Sequence, residues 1–128
     1  MSVEAETVHT DAAPRAIGPY SQALAVGGLV FLSGQIALDP ASGELVGQEF
    51  ARQAQQALAN LGAVLAAAGC QRSQVAKVTV YLTEMARFAE FNQIYADFFG
   101  EHRPARAVVA VAGLPRGAQV EVEAMAVR

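Results

Sequence analysis

The pattern of apolar and polar residues predicts two helices and five strands. Apolar residues recur at steps of three and four from about Glu49 to Ala68 and from Arg87 to Phe99, which is the spacing of helices with one apolar face. Alternating or β-branched segments predict the strands, which are Ser21–Val26, Leu29–Ser33, Val75–Thr83, Ala105–Ala112 and Gln119–Val127. The predicted order is β-β-α-β-α-β-β, in a single domain over residues 1–128.

Turn residues separate these elements. Gly27-Gly28 predicts a tight hairpin between the first two strands, and Gly69 and Gly100 each end a helix. The segment Leu114-Pro115-Arg116-Gly117 joins the last two strands, which we expect to form a hairpin. Residues 1–16 are mixed and polar, and we expect them to be a partly ordered lead-in outside any element.

The predicted architecture is α+β, with two helices on one face of a mostly antiparallel sheet. The other sheet face would then be bare. Charged residues make up only 16% of the chain, well below the roughly 25% that is typical of soluble domains. Because monomers rarely expose large apolar patches, we expect a second subunit to cover the open face.

Charge and cysteine content exclude several classes of protein. The net charge is −3, Lys77 is the only lysine and the arginines are scattered, which argues against a nucleic-acid-binding surface. No apolar run approaches the ~20 residues of a membrane span, and the N-terminus does not look like a secretion signal. Cys70 is the only cysteine, so no intrachain disulfide forms, and a cytoplasmic location is expected.

Neither a metal site nor a cysteine nucleophile is predicted. The two histidines, His9 and His102, are far apart and lack any metal-binding spacing, while a zinc site needs three or four ligands. Cys70 follows an alanine-rich helix, and such an apolar setting suppresses the thiolate. No glycine-rich phosphate-binding motif occurs.

Candidate chemistry lies in four short segments, which are 17–22, 33–35, 103–109 and 120–124. The Gly-Pro bend at 18–19 would aim Tyr20 at a specific partner, although an ordinary turn explains it equally well. The Ser33-Gly34 break exposes backbone groups to close approach, but taken alone it is more typical of a bulge that ends a strand.

The other two segments carry charges next to apolar strands. Arg106 begins a strongly apolar strand, and its planar guanidinium suits a carboxylate. The alternatives are a structural salt bridge with a carboxylate such as Glu121 or Glu123, or exposure to solvent at a strand edge. Glu121 and Glu123 lie on one strand face. A semi-buried glutamate with a raised pKa could act as a general base or acid near neutral pH.

Taken in this order, the segments resemble the reactive intermediate deaminase family, RidA, also called YjgF. The resemblance covers nearly the whole chain, and the ordered set is far more specific than any single fragment. It rests on Ile17-Gly18-Pro19-Tyr20-Ser21-Gln22, Phe31-Leu32-Ser33-Gly34-Gln35-Ile36, Ala67-Ala68-Gly69, Phe91-Asn92-Gln93-Ile94-Tyr95, Pro104-Ala105-Arg106, Leu114-Pro115-Arg116-Gly117 and Val120-Glu121-Val122-Glu123-Ala124.

The resemblance implies a chorismate-mutase-like fold that assembles as a homotrimer with clefts between subunits. It also implies hydrolysis of 2-iminobutanoate and 2-iminopropanoate to the 2-oxo acid and ammonia, without a cofactor or a metal. These imines are released by pyridoxal-phosphate dehydratases that act on threonine and serine.

The resemblance also assigns roles to residues of this chain. It makes Arg106 the carboxylate anchor, Glu121 the catalytic acid or base, and Tyr20, Ser33, Gly34 and Asn92 the remaining cleft residues. Val108 stands where many members carry cysteine, so a thiol mechanism is impossible at that position. The backbone N–H of Val108 could still bind the ligand.

Strand spacing predicts a site between subunits. In a hairpin of the last two strands, Arg106 would pair near Val127 and Glu121 near Ala112, which separates the two by roughly 20 Å at the rise of a strand. Because one small substrate cannot span that distance, we expect Arg106 and Glu121 to meet across a subunit boundary.

Three other functions are compatible with parts of the sequence. A non-catalytic protein that binds 2-oxo acids or other small carboxylates would use the same cleft. An RNA-cleaving translation inhibitor, an activity ascribed to some relatives, is disfavoured by the acidic charge. A chorismate-mutase-type isomerase would need several cationic groups, and the sequence places only Arg106; a shared fold does not assign a function.

Overall fold

The computed structural model describes residues 4–128. It contains a six-stranded sheet and two long helices, whose bounds are β1 Ala5–Val8, β2 Ala23–Val26, β3 Leu29–Gln35, α1 Phe50–Ala67, β4 Val75–Leu82, α2 Phe88–Phe99, β5 Ala105–Ala110 and β6 Val120–Val127. All seven predicted elements are present. The α+β class and the position of the helices on one sheet face are confirmed.

One strand was missed by the sequence analysis. Ala5–Val8 forms β1, which pairs antiparallel with β2 at the edge of the sheet. Its residues are short or polar, so the strand has no apolar alternation of its own. The backbone of β2 supplies the pairing, and Gln22 fixes the following segment by accepting from Thr10 N–H and donating to the carbonyls of Thr10 and Pro14.

The prediction of a hairpin between the last two strands is wrong. The strand order is β1-β2-β3-β6-β4-β5, in which β6 lies between β3 and β4 and pairs antiparallel with both. Strand β5 lies at the edge, parallel to β4, because α2 supplies the crossover that parallel strands require. Arg116 adopts left-handed backbone (φ 61°, ψ 17°) in the turn before β6, which carries the chain away from β5.

The core lies between the sheet and the helices. Alternate residues of β6, from Val120 to Ala126, are buried against the helices. Two buried amides of α1 fix the loops beside this core. Asn60 donates to the carbonyls of Ile36 and Leu38, and Gln53 donates to the Gly47 carbonyl and accepts from the N–H of Gln119. Satisfied buried amides of this kind hold irregular backbone in one conformation.

The opposite sheet face carries exposed apolar side chains. Phe31 is 42% exposed, Val109 41% and Val127 49%. Strand pairing places Phe31 beside Met125 and Leu29 beside Val127. Among the helices of residues 4–128, none combines the length and the hydropathy that a membrane span requires.

Candidate functional site

Five of the residues singled out in the sequence line two separate cavities. Tyr20, Gly34 and Glu121 line a cavity of about 300 Å³, called here the Glu121 cavity. Asn92 and Arg106 line a second cavity of about 310 Å³, called here the Arg106 cavity. The structure therefore divides the predicted site into two parts.

The loop that carries Tyr20 is fixed from both sides. Gly18 has φ 125°, a conformation that favours glycine, and its carbonyl accepts from the Tyr20 N–H at 2.9 Å. The Ser33 hydroxyl donates to the Ser21 carbonyl at 2.6 Å. Tyr20 remains 53% exposed at the mouth of the Glu121 cavity. Ser33 thus holds the loop in place within this chain, and its predicted contact with the substrate stays a prediction.

A bulge in β3 brings Gly34 against Glu121. The register of β3 on β6 shifts between Leu32 and Gln35. A Cβ atom built on Gly34 would lie 2.7 Å from Glu121 Oε2 and 2.8 Å from its carboxyl carbon. Glycine at this position therefore lets the Glu121 side chain occupy the space that a β-carbon would take.

The structure distinguishes the two glutamates of β6. Tyr81 donates its hydroxyl to Glu123 Oε1 at 2.6 Å, and this hydrogen bond is the main reason that the pKa of Tyr81 rises to about 12. Glu121 instead lines the cavity beside Gly34. Burial, and secondarily the charge of Glu123, raise the pKa of Glu121 above its ordinary value. Such a carboxyl group is suited to exchange protons with a bound molecule.

Substituting alanine for Gly34 should displace the Glu121 carboxylate without unfolding the protein. Gly34 lies outside the left-handed region, so its backbone accepts alanine, and the group that must move is the end of a flexible side chain. If Glu121 takes part in catalysis, kcat should fall roughly tenfold to a hundredfold, because the carboxylate is moved away from its working position. The matched control is Gly113→Ala, where a Cβ meets nothing within 4 Å. Equal activity of both variants would show that the contact is unimportant.

The Arg106 cavity is built on one face of α2. Arg106 Nη1 donates to Asn92 Oδ1 at 2.8 Å, and the guanidinium carbon lies 4.7 Å from the centre of the Tyr95 ring. Arg103 and Pro104 complete the wall. Within one chain, Arg106 forms no salt bridge to Glu121 or Glu123, because the ion pairs among residues 4–128 do not include it.

Val108 lies on the same edge strand. Its side chain is half-buried against the core and is level with Val80 of β4. Val111 donates its N–H to Leu82 of β4, and N–H directions alternate along a strand. The N–H of Val108 is therefore directed away from β4, toward the free edge of the sheet.

Arg106 and Glu121 lie on opposite faces of the sheet. Arg106 is level with Val78 and contacts α2, so it belongs to the helix face. Glu121 is level with Tyr81 and belongs to the open face. The spacing argument used a hairpin that does not form. The two side chains are nevertheless separated, because β4 lies between their strands and their side chains point to different faces.

Sequence reasoning missed two residues of the Arg106 cavity. Tyr95 follows Asn92 by three positions and therefore shares its face of α2, a signal that the sequence already contained. Arg103 is directed to the cavity wall by hydrogen bonds to the carbonyls of Gly100 and His102 at the end of α2. That geometry has no signature in the sequence.

The sequence and the fold of this chain are both similar to those of known proteins. The sequence profile described as Endoribonuclease L-PSP matches residues 10–128. The chain is 49% identical to the mouse protein named 2-iminobutanoate/2-iminopropanoate deaminase, over 99% of this chain and 94% of that protein. It is 47% identical to a RutC family protein of Pyrococcus horikoshii, over 94% and 96% of the two chains. The crystal structure of Escherichia coli TdcF with bound serine superposes with a TM-score of 0.92 at 41% identity, covering 96% of this chain and 98% of that one.

Proposed function

This chain belongs to the Endoribonuclease L-PSP family, the YjgF/RidA family, and from that membership and the two cavities we propose that it hydrolyses reactive 2-imino acids. The substrates are 2-iminobutanoate and 2-iminopropanoate, and the products are the 2-oxo acid and ammonia. Relatives at 46–49% identity carry the name of this deaminase, which supports the substrate class.

The observation that carries the proposal is that Arg106 lines a cavity and has no carboxylate partner among residues 4–128. Its guanidinium lines an open cavity and contacts an amide oxygen and aromatic rings, with no carboxylate partner among residues 4–128. A half-buried cation of this kind is matched by a small carboxylate, which the planar fork binds through two parallel hydrogen bonds. A structure of the relative TdcF holds serine, which also carries a carboxylate.

Glu121 supplies the proton transfer. A protonated imine is already electrophilic, so catalysis needs an oriented water and a base. Water attacks C2 as its proton passes to Glu121, which gives a carbinolamine. Glu121 then returns this proton to the nitrogen, the C2–N bond breaks, and ammonia leaves. As the bond breaks, the hydroxyl proton passes to the Glu121 carboxylate and from there to the departing ammonia, so that the C2 oxygen becomes the carbonyl of the 2-oxo acid. Tyr20 and Gly34 border the space where this chemistry takes place.

The reaction requires the two cavities to face each other across a subunit boundary. Arg106 and Glu121 cannot approach one small molecule within a single chain, because they lie on opposite sheet faces. The exposed apolar face with Phe31, Val109 and Val127 supplies a surface for assembly. The assembly we propose is the homotrimer that the family resemblance implies, acting in the cytoplasm after pyridoxal-phosphate dehydratases.

The activity is measured by competition with semicarbazide. A threonine dehydratase generates 2-iminobutanoate, semicarbazide traps it as a semicarbazone, and an imine hydrolase lowers the rate of trapping. The protein is expected to lower that rate in proportion to its concentration. Binding of 2-oxobutanoate with no effect on trapping would instead identify a non-catalytic carboxylate-binding protein.

Mixing two inactive variants tests the shared site. Arg106→Ala and Glu121→Gln chains, unfolded together and refolded as mixed oligomers, should regain about a quarter of the wild-type activity, because each site then draws its two residues from independently mixed subunits. The control is the same mixture combined after separate folding, without exchange. Absence of recovery in mixed oligomers would contradict a site between subunits.

RNA cleavage is the second activity attached to this family by its description. The net charge of −3 disfavours binding to a polyanion. The same preparation incubated with single-stranded RNA should leave it intact, and cleavage that disappears in the Arg106→Ala variant would favour the nuclease.

A further inference from the structure

Tyr95 combines deep burial with an unsatisfied hydroxyl group. The residue is only 7% exposed, and its hydroxyl is the one buried side-chain polar atom of residues 4–128 that has no hydrogen-bond partner. A buried donor without a partner destabilises the folded protein, because it has lost its hydrogen bond to water. Phenylalanine would avoid that cost, and the neighbouring positions on the same helix face, Phe91 and Phe99, are phenylalanines that contact the Tyr95 ring. Packing therefore explains the ring of Tyr95 but not its hydroxyl.

The cavity that Tyr95 shares with two arginines indicates what its hydroxyl could bind. The Arg106 guanidinium carbon lies 4.7 Å from the centre of the Tyr95 ring, and Tyr95, Arg103 and Arg106 line the same cavity. Burial raises the pKa of Tyr95 although Arg106 and Arg103 act to lower it, so the phenol keeps its proton at neutral pH. The cavity wall contains two cations and no carboxylate. An anion is the ligand that this surface lacks.

We propose that Tyr95 is a further substrate-binding residue, whose hydroxyl donates a hydrogen bond to the carboxylate that Arg106 binds. This inference rests on the proposed function, since it extends the same site. In this structure, Arg106 donates a hydrogen bond to Asn92 and lies over the phenol ring. A carboxylate that engages both guanidinium nitrogens draws Arg106 toward the cavity, and this movement uncovers the Tyr95 hydroxyl. One carboxylate oxygen then accepts from Tyr95, and the cost of the unpaired donor disappears in the complex.

The test is the Tyr95→Phe variant, measured for both ligand affinity and stability. Binding of 2-oxobutanoate, the expected product, is followed by calorimetry. The variant should bind it about tenfold more weakly or worse, as expected for loss of a hydrogen bond to a charged group. Its Tm should be equal to or higher than that of the wild type, because the substitution removes a buried unsatisfied group. Its KM for the imine should rise more than its kcat falls.

A second substitution calibrates the stability measurement. Tyr81→Phe removes a hydroxyl that has a partner, Glu123, and should therefore lower the Tm. If Tyr95→Phe also lowers the Tm, or binds 2-oxobutanoate as tightly as the wild type, the inference is overturned. If the wild-type protein binds 2-oxobutanoate but hydrolyses no imine, the proposed activity is overturned, while the role of Tyr95 in binding the carboxylate can still be tested with the Tyr95→Phe variant. A wild type that binds no 2-oxobutanoate would overturn both.

Discussion

The Arg106→Ala variant is expected to lose imine hydrolysis while it keeps its fold and its assembly. A bidentate guanidinium–carboxylate pair contributes two charge-assisted hydrogen bonds, so its removal should lower kcat/KM by roughly 10²- to 10⁴-fold. The fold should survive because Arg106 is half-buried at the sheet edge and borders an open cavity. The lost side chain leaves space that solvent can fill.

Two other variants make this result specific. Arg106→Lys retains the charge but not the planar fork, so it should recover only a small part of the activity. Arg52→Ala removes an exposed arginine of α1 and should leave activity and oligomeric state unchanged. The measurements are the semicarbazide competition and size-exclusion chromatography. Unchanged hydrolysis by Arg106→Ala would refute the assignment of Arg106 to the substrate carboxylate, whereas loss of assembly would assign it a structural role.

The sequence predicted the elements of this fold well, because their signals are local. The apolar stripes of α1 and α2 and the alternation of β4 and β6 follow from which residues face one core. The Gly27-Gly28 turn was also predictable, because a two-residue hairpin turn needs residues that tolerate positive φ. Both glycines have positive φ, and Val26 pairs with Leu29 directly beside them. Strand β1 has no such signal, because its pairing depends on β2 and on the hydrogen bonds of Gln22.

Strand order could not be read from local pattern. Both β5 and β6 are apolar and adjacent in sequence, which favoured a hairpin, yet only β6 has buried residues at alternate positions along its whole length. That periodicity belongs to a central strand, whereas the exposed ends of β5 belong to an edge. The burial that distinguishes them is a property of the assembled sheet.

The candidate site shows the same division between local and long-range information. Arg106, Asn92 and Glu121 could be named from their residue types and from a family resemblance. The sequence could not show that these residues lie on two different faces of the sheet, because that placement depends on the pairing of β4 with both β5 and β6. The unpaired hydroxyl of Tyr95 also appears only when its surroundings are known.

Glu121→Gln should abolish turnover while ligand binding is retained. Glutamine has the size of glutamate but cannot take a proton from water, and loss of a general base lowers kcat by about 10²- to 10⁴-fold. Affinity for 2-oxobutanoate should change little, because Arg106, which anchors the carboxylate, is unchanged in this variant. If the variant hydrolyses 2-iminobutanoate normally, Glu121 is not the base.

The stability of the same variant separates catalysis from a structural role. The pKa of Glu121 is raised in the folded protein by burial and by Glu123, so its ionisation opposes folding. Across the interval from its ordinary pKa up to the raised value, the folded state binds more protons than the unfolded state, and stability falls as pH rises. Glutamine at 121 removes this penalty. Above that interval the variant should unfold at a higher temperature than the wild type, and below it the difference should vanish.

If Glu121 had a structural partner, the substitution Glu121→Gln would have the opposite effect on stability. Were the carboxylate held by a cation, its folded pKa would be lowered, and Glu121→Gln would destabilise the protein at neutral pH and not at acidic pH. Thermal unfolding of wild type and variant across pH therefore tests the electrostatic environment independently of any substrate. The pH dependence of kcat/KM completes the argument, since a base with a raised pKa makes activity increase with pH through the same interval in which stability declines.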